Sequence, residues 1–436
     1  MTVPERLVLV ILDGLGDRAH PSTGGNTPSD SARTPNLDRL SAAGQLGRVM
    51  VLGKGIAPES DAGALALLGY DPVADSPGRG VLEALGVGVP LAPEDVALRL
   101  NFATTDGSGA ILDSRVGRSL SSEEARRLAG DLTAADLLKD QAIHAEVRAT
   151  VGHRGVLWLH PTSLGPLSPE VSNSDPFYEK VGGMGRARAV EHPKVLPVEP
   201  LDASQEAART ARAINLFLER SSARLEGHSI NAKRALAGKK LANQLILRNA
   251  GRLPVTAPES FAKRWGRPGG AVTEMPVERG IARLLGLADE FVGPMGADLD
   301  AALKERAVAT RAALERNPFV YVHLKGPDEP GHDGDALRKR EVIEALDRSF
   351  FGAFLPAIDL GTTRVIVTAD HATPCILKAH SDDPVPLLIA GAGVAPSLPT
   401  GSVVKFGEAA CAAGALGTIF GRDVRTLADR PIPAGR

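Results

Sequence analysis

Short, uninterrupted apolar runs, each closed by turn residues and flanked within a few positions by aspartate or histidine, constrain this chain more than any other feature. Residues 7–12, 319–324, 364–368 and 386–390 are of this kind. Runs of five or six residues without polar alternation mark strands buried on both faces of a parallel sheet. Helical patterns lie between them: residues 298–315 carry Leu299, Leu303 and Ala307 at helical spacing, and residues 335–354 carry Val342, Leu346, Phe350 and Phe354. Strands that alternate with helices imply an α/β fold with a doubly wound, mostly parallel sheet.

The middle of the chain alternates less regularly. A capping box at Ser121 and Glu124 opens one helix, an Ala/Arg-rich helix is expected over 204–225, a Gly/Pro-rich break falls at 266–270, and a short helix follows over 277–287. At roughly 150 residues per domain, 436 residues make about three units or one large core with an insertion. The pattern favours the second: a discontinuous core of 1–90 and 271–436, interrupted by an inserted α+β domain of 91–270.

Composition narrows the function classes. Hydrophobic residues at 43% and charged residues at 23% exclude a disordered chain. Fifty basic against fifty-two acidic residues leave a formal charge of −2, so no global basic field exists to hold nucleic acid or an anionic membrane, and any anion must be bound locally. Two cysteines, Cys375 and Cys411, supply neither a disulfide framework nor a zinc-binding pair, and Cys375 reads as a small buried side chain. The apolar run near the start is too short for a membrane span and lacks a signal-cleavage pattern, so a cytoplasmic protein is expected. Oligomeric state is not legible.

Asp13 follows the first strand directly. Asp328 and His332 follow the 319–324 run, Asp370 and His371 follow the 364–368 run, and His380 precedes the next. In an open parallel sheet the loops beyond the carboxyl ends of strands meet on one edge, where ligands bind. Six such groups exceed what one tetrahedral ion requires. Carboxylates with neutral imidazoles suit Mn or Zn, with Co or Mg as further choices, and two ions about 4 Å apart are expected. Ser60 opens a short apolar helix after a strand expected over 49–52. A serine there is an ordinary helix cap; beside a metal ion and a helix N-terminus it is also a site where an alkoxide or a phosphate ester is stabilised. No GxxxxGK[ST] accompanies the local glycines.

In its motifs the sequence resembles the archaeal-type branch of the 2,3-bisphosphoglycerate-independent phosphoglycerate mutases, within the alkaline phosphatase superfamily. The resemblance rests on Leu12–Asp–Gly–Leu–Gly–Asp17, Thr34–Pro–Asn–Leu–Asp38, Pro58–Glu–Ser–Asp61, Leu68–Gly–Tyr–Asp–Pro72, Gly78–Arg–Gly80, Asn101–Phe–Ala–Thr104, His323–Leu–Lys–Gly–Pro–Asp–Glu–Pro–Gly–His–Asp333 and Thr368–Ala–Asp–His–Ala–Thr–Pro374, in that order along nearly the whole chain. It implies an alkaline-phosphatase-like core in which Asp13, Ser60, Asp370 and His371 hold one ion and Asp328, His332 and His380 the other. Ser60 would accept the phosphoryl group from a phosphoglycerate and return it to the neighbouring hydroxyl, with no 2,3-bisphosphoglycerate.

The inserted domain would hold glycerate and exclude water. Candidate contacts to this small phosphorylated hydroxyacid are Arg115, Arg118, His153, Arg154, Arg248 and Lys325. Three positions depart from the family pattern: Asn249 where glycine is customary, Phe177 where histidine is usual, and Val81 where proline normally follows Gly–Arg–Gly. A phosphohydrolase, or a phosphomutase for another phosphorylated or phosphonate hydroxyacid, is therefore the alternative; a catalytically silent metal-binding module is the third reading.

Overall fold

The computed structural model describes residues 4–163, 165–181, 184–188, 190–397 and 404–433. The chain divides into two compact units, one of residues 1–75 with 259–436 and the other of residues 76–258. The divisions lie at 75/76 and 258/259 rather than near 90 and 270. Helix Arg79–Gly86 belongs to the inserted unit, where Val81 and Ala84 pack with Ala97 and Val156. Helix Phe261–Trp265 belongs to the core, where Phe261 and Trp265 pack against Phe319 with ring centroids 4.5 and 4.7 Å away.

The core unit is built on an eight-stranded sheet in the order Ala288–Phe291, Gly269–Thr273, Phe319–Leu324, Arg6–Leu12, Thr363–Thr368, Val385–Gly391, Gly44–Met50, Thr418–Phe420. All neighbours are parallel except Val385–Gly391, which runs antiparallel to both of its own. Leu7 to Leu12 are all 0% exposed, as an apolar run without alternation requires. The expected parallel direction of the 386–390 run is thus corrected. Its antiparallel course has a simple cause: the segment from Ala369 to Pro384 makes no crossover and returns along the same edge of the sheet. The strand expected over 49–52 is Gly44–Met50, and the Gly/Pro-rich break at 266–270 runs directly into an inner strand. Helix Leu299–Arg316 is capped by Asp298, and the following helical pattern breaks into a regular helix, Ala336–Ala345, and a wide turn over Leu346–Phe351.

The inserted unit is α+β. Strands Gln244–Gly251, Val96–Thr105, Arg154–Pro161 and Ile143–Ala149 pair antiparallel in that order, with Ile111–Asp113 added to the end of the second. Helices Ser122–Ala134, which carries the capping box, and Gln205–Glu226 contribute Leu128, Leu132, Ile214 and Phe217 to its core. Among the described residues no helix is long and apolar enough to cross a membrane.

Candidate functional site

Strand register explains why six distant side chains meet. Ile11 pairs with both His323 and Thr368, and Leu12 with Leu324, so Asp13, the segment leading into helix Asp328–Asp333, and Asp370–His371 leave the sheet at one level. Val385 pairs with Val49, so the loop bearing His380 and the connection leading to Ser60 reach the same edge. The reversed strand is what returns His380 there.

Ser60 is the first residue of helix Ser60–Leu67, with Glu59 as the capping position and no side-chain cap bond. Its hydroxyl meets His371 Nε2 at 3.2 Å. One turn on, a Cβ at Gly63 would lie 2.2 Å from the carbonyl oxygen of Asp370, so only glycine lets the helix approach this closely. Gly14 has φ +63°, a conformation that glycine adopts without strain, and its N–H donates to Asp370 Oδ1 at 3.1 Å.

Hydrogen bonds at the outer nitrogens fix all three imidazoles. His380 Nδ1 donates to the Pro58 carbonyl at 2.8 Å and His332 Nδ1 to the Lys378 carbonyl at 3.1 Å. The Thr373 hydroxyl donates its one proton to Asp328 Oδ1 at 2.7 Å, so it accepts from His371 Nδ1 at 3.1 Å. Each Nε2 therefore turns a lone pair inward, the orientation that metal-ligating histidines take from their outer-shell partners.

The distances fit the same reading. His332 Nε2 and His380 Nε2 are 3.1 Å apart, and Asp328 Oδ1 lies 3.5 and 3.4 Å from them. Ligands about 2.1 Å from a tetrahedral ion are about 3.4 Å from one another. The second group is alike: His371 Nε2 lies 3.3 Å from Asp13 Oδ1, 3.5 Å from Asp370 Oδ2 and 3.2 Å from Ser60 Oγ. Asp13 Oδ1 and Asp370 Oδ2 are buried without a hydrogen-bond partner. Buried, unpartnered carboxylate oxygens are costly unless a cation meets them. The donor set thus fits two divalent ions, and all seven sequence-derived ligand candidates come together.

The layer of charges around Lys325, behind Asp13, escaped the sequence reading. Lys325 Nζ lies 2.8 Å from Asp13 Oδ2 and 2.7 Å from Glu278 Oε1, and it approaches His323 Nε2 at 3.5 Å. His323 Nε2 also faces Asp370 Oδ2 at 3.5 Å, while its Nδ1 meets the Tyr321 hydroxyl at 2.7 Å. Burial alone would raise the Asp13 pKa; the Lys325 ammonium overcomes it and holds the group well below the ordinary carboxylate range. Burial likewise opposes ionisation of Glu278, and Lys325 again keeps it charged. Lys325 therefore sits against ligand carboxylates in the core unit, apart from the other five substrate-contact candidates.

Those five cluster within the inserted unit. Burial, then Arg154, Arg115, Arg118 and Arg248 together, push His153 down to about 3, leaving a neutral imidazole among guanidiniums. A basin of about 270 Å³ is lined by Arg115, Arg188, Arg248, Asp175, Phe177 and Tyr178, among others. An adjoining one of about 360 Å³ includes Arg115 and Arg118. Arg248 forms a buried ion pair with Asp175 and lies 4.2 Å over the Tyr178 ring. Asp175 and Arg188 were not singled out by the sequence; one reads as a turn residue and the other as one of many surface arginines.

Comparison with known proteins gives the family. A 2,3-bisphosphoglycerate-independent phosphoglycerate mutase of Aeropyrum pernix is 42% identical over 419 residues, 95% of this chain and 96% of that one. The chain belongs to that family. The mutase of Methanopyrus kandleri is 38% identical over 434 residues, 98% of this chain and 97% of its own. The family's sequence profile, described as 2,3-bisphosphoglycerate-independent phosphoglycerate mutase, matches residues 41–231. Among solved structures, a Pyrococcus horikoshii protein superposes with a TM-score of 0.76 at 30% identity, covering 98% of this chain and 97% of that one. The cofactor-independent phosphoglycerate mutase of Thermoplasma acidophilum superposes at 0.60 and 29% identity, with 97% and 98% covered.

Two of the three departures from the family pattern have physical accounts. Asn249 has φ +55°, where glycine is free and asparagine is among the best-tolerated alternatives, and its N–H is held by Asn173 Oδ1 at 3.1 Å. Val81, the third residue of helix Arg79–Gly86, is fully buried, where its side chain packs with Ala84, Ala97 and Val156 and its N–H donates to the Gly78 carbonyl at 3.1 Å. Phe177 lines both arginine basins and packs beside Ile111 and Ile246; nothing in the structure explains why an aromatic hydrocarbon stands there.

Proposed function

We propose that the protein interconverts 3-phosphoglycerate and 2-phosphoglycerate through a phosphoserine at Ser60, at a site that holds two divalent ions, with Mn or Zn the best fit. The observation that carries this reading is the Ser60 hydroxyl: it lies 3.2 Å from His371 Nε2, the atom that also faces Asp13 Oδ1 and Asp370 Oδ2. Asp13, Ser60, Asp370 and His371 would hold one ion, and Asp328, His332 and His380 the other. Bound there, the ions supply charge neutralisation for an in-line phosphoryl transfer and favour the ionised serine.

The chain's own residues do the rest. Ser60 Oγ forms the new bond to phosphorus as the ester oxygen of C3 leaves; the serine proton is lost and the departing oxygen gains one. The C2 hydroxyl then attacks phosphoserine, its proton is lost, and Ser60 regains its own, so the sum is an isomerisation that consumes no water. The arginine basin of the inserted unit suits the carboxylate of the acid, because guanidinium groups bind carboxylate in a two-point fork. Retention of glycerate between the two transfers separates a mutase from a phosphohydrolase, and this basin is the feature that supports retention.

The test is phosphorus NMR of Mn-loaded protein with 3-phosphoglycerate. Accumulation of 2-phosphoglycerate without free phosphate is expected. Release of inorganic phosphate alone would favour the hydrolase, and turnover undiminished by EDTA would remove the ions from the account.

A further inference from the structure

We propose that Lys325 and Glu278 are a built-in counter-charge pair for Asp13, which makes Lys325 a positioning residue for the metal centre rather than a contact to substrate. The inference rests on reading Asp13 as an ion ligand. The Lys325 ammonium is ion-paired on two sides, to Asp13 Oδ2 at 2.8 Å and to Glu278 Oε1 at 2.7 Å. The two oxygens of Asp13 are thereby given separate work, because Oδ2 is taken by Lys325 while Oδ1 is buried without a hydrogen-bond partner, 3.3 Å from His371 Nε2.

The pair is anchored from behind. Lys325 N–H donates to Glu274 Oε1 at 3.0 Å, and Glu274 pairs with Arg306, both side chains being 1% exposed. Arg306 is in turn fixed to the carbonyls of Ala302 and Gly293. Glu278 comes from the first turn of helix Pro276–Leu285 and is itself 1% exposed. One half-buried positive and one buried negative charge beside Asp13 cancel, so the ligand carboxylates alone set the charge that an ion meets.

Opposite effects of the two partners are the signature. K325M leaves Glu278 uncompensated and makes the pocket one charge more negative, so Mn(II) should bind at least tenfold tighter. E278Q leaves the ammonium in excess, so Mn(II) should bind at least tenfold more weakly. The charge-balanced double variant E278Q/K325M should return to within threefold of wild type. Calorimetric titration with Mn(II), checked by the free-ion EPR signal, reads all three, and kinetics with 3-phosphoglycerate should show kcat changing more than KM in K325M. Equal or weaker Mn(II) binding in K325M, or a raised KM with metal affinity unmoved, would overturn the inference and return Lys325 to the substrate. If K325M does not fold, weakening in E278Q that the double variant fails to restore does the same. Wild-type protein that binds fewer than two ions would instead overturn the metal reading beneath it.

Discussion

Thr373 is the most sensitive point of the candidate metal centre that is not itself a candidate ligand. It is 0% exposed, and its hydroxyl gives its proton to Asp328 Oδ1 at 2.7 Å and accepts from His371 Nδ1 at 3.1 Å. Thr373→Val keeps the shape and removes both bonds. His371 then either keeps a buried, unsatisfied Nδ1–H, which costs about 1–3 kcal/mol, or moves its proton to Nε2, where an ion would sit. Either way the preference for the ion-binding tautomer falls by that amount, which at 1.4 kcal/mol per tenfold corresponds to a roughly 10- to 100-fold loss of metal affinity. Calorimetric titration of Mn(II) into wild type, Thr373→Val and Thr373→Ser measures it directly. The serine variant keeps the hydroxyl and should stay within a few-fold of wild type. Valine binding Mn(II) within twofold of wild type would refute the tautomer argument.

Three further outcomes follow from the geometry. Gly63→Ala puts a Cβ 2.2 Å from a backbone oxygen, so helix Ser60–Leu67 must shift; a loss of about 1–3 kcal/mol in urea unfolding is expected, with kcat falling more than stability alone explains, and an unaltered kcat would contradict the close-approach reading. Arg115→Ala and Arg118→Ala should each raise KM for 3-phosphoglycerate severalfold, and unchanged kinetics would remove that residue from the substrate site. Glu408, whose pKa burial raises to about 7 against the hydroxyls of Ser29 and Thr27, holds a proton in the folded state that the unfolded chain releases near 4.5. Stability should therefore fall as pH rises from about 4.5 to about 7, by about 3–4 kcal/mol at 1.36 kcal/mol per pH unit. Glu408→Gln should remove that slope, and an identical slope in denaturant titrations of the variant would refute it.

Much of the candidate metal centre was legible because its residues stand where strands end. Asp13, Asp328, Asp370 and His371 each follow a run that only a buried strand explains, and parallel register carries that proximity in sequence into proximity in space. His380 was found by its place before a strand, although the direction of that strand was not: an apolar run has no arrow, and only the absence of a crossover made it antiparallel. His323, Glu278 and Glu274 were hidden for different reasons. His323 lies inside the apolar run Phe319–Leu324, where a single histidine reads as core. Glu278 occupies a first helical turn, where an acid is explained by the helix dipole. Glu274 follows a strand whose Gly-rich sequence looks like a break. Pairing of Lys325 with Asp13 needed coordinates, because spacing cannot tell whether a lysine beside a cleft points into it or behind it. The boundary at Asp75 was missed because helix Arg79–Gly86 carries the same amphipathic pattern whichever unit it covers.

The claim that Ser60 carries the phosphate is tested most directly by acid-quenching Mn-loaded protein during turnover of 3-phosphoglycerate and locating phosphate by peptide mass spectrometry. Phosphate on the peptide containing Ser60, absent in Ser60→Ala together with 2-phosphoglycerate formation, is the expected result. Phosphate on another residue, or full turnover by Ser60→Ala, would contradict the account.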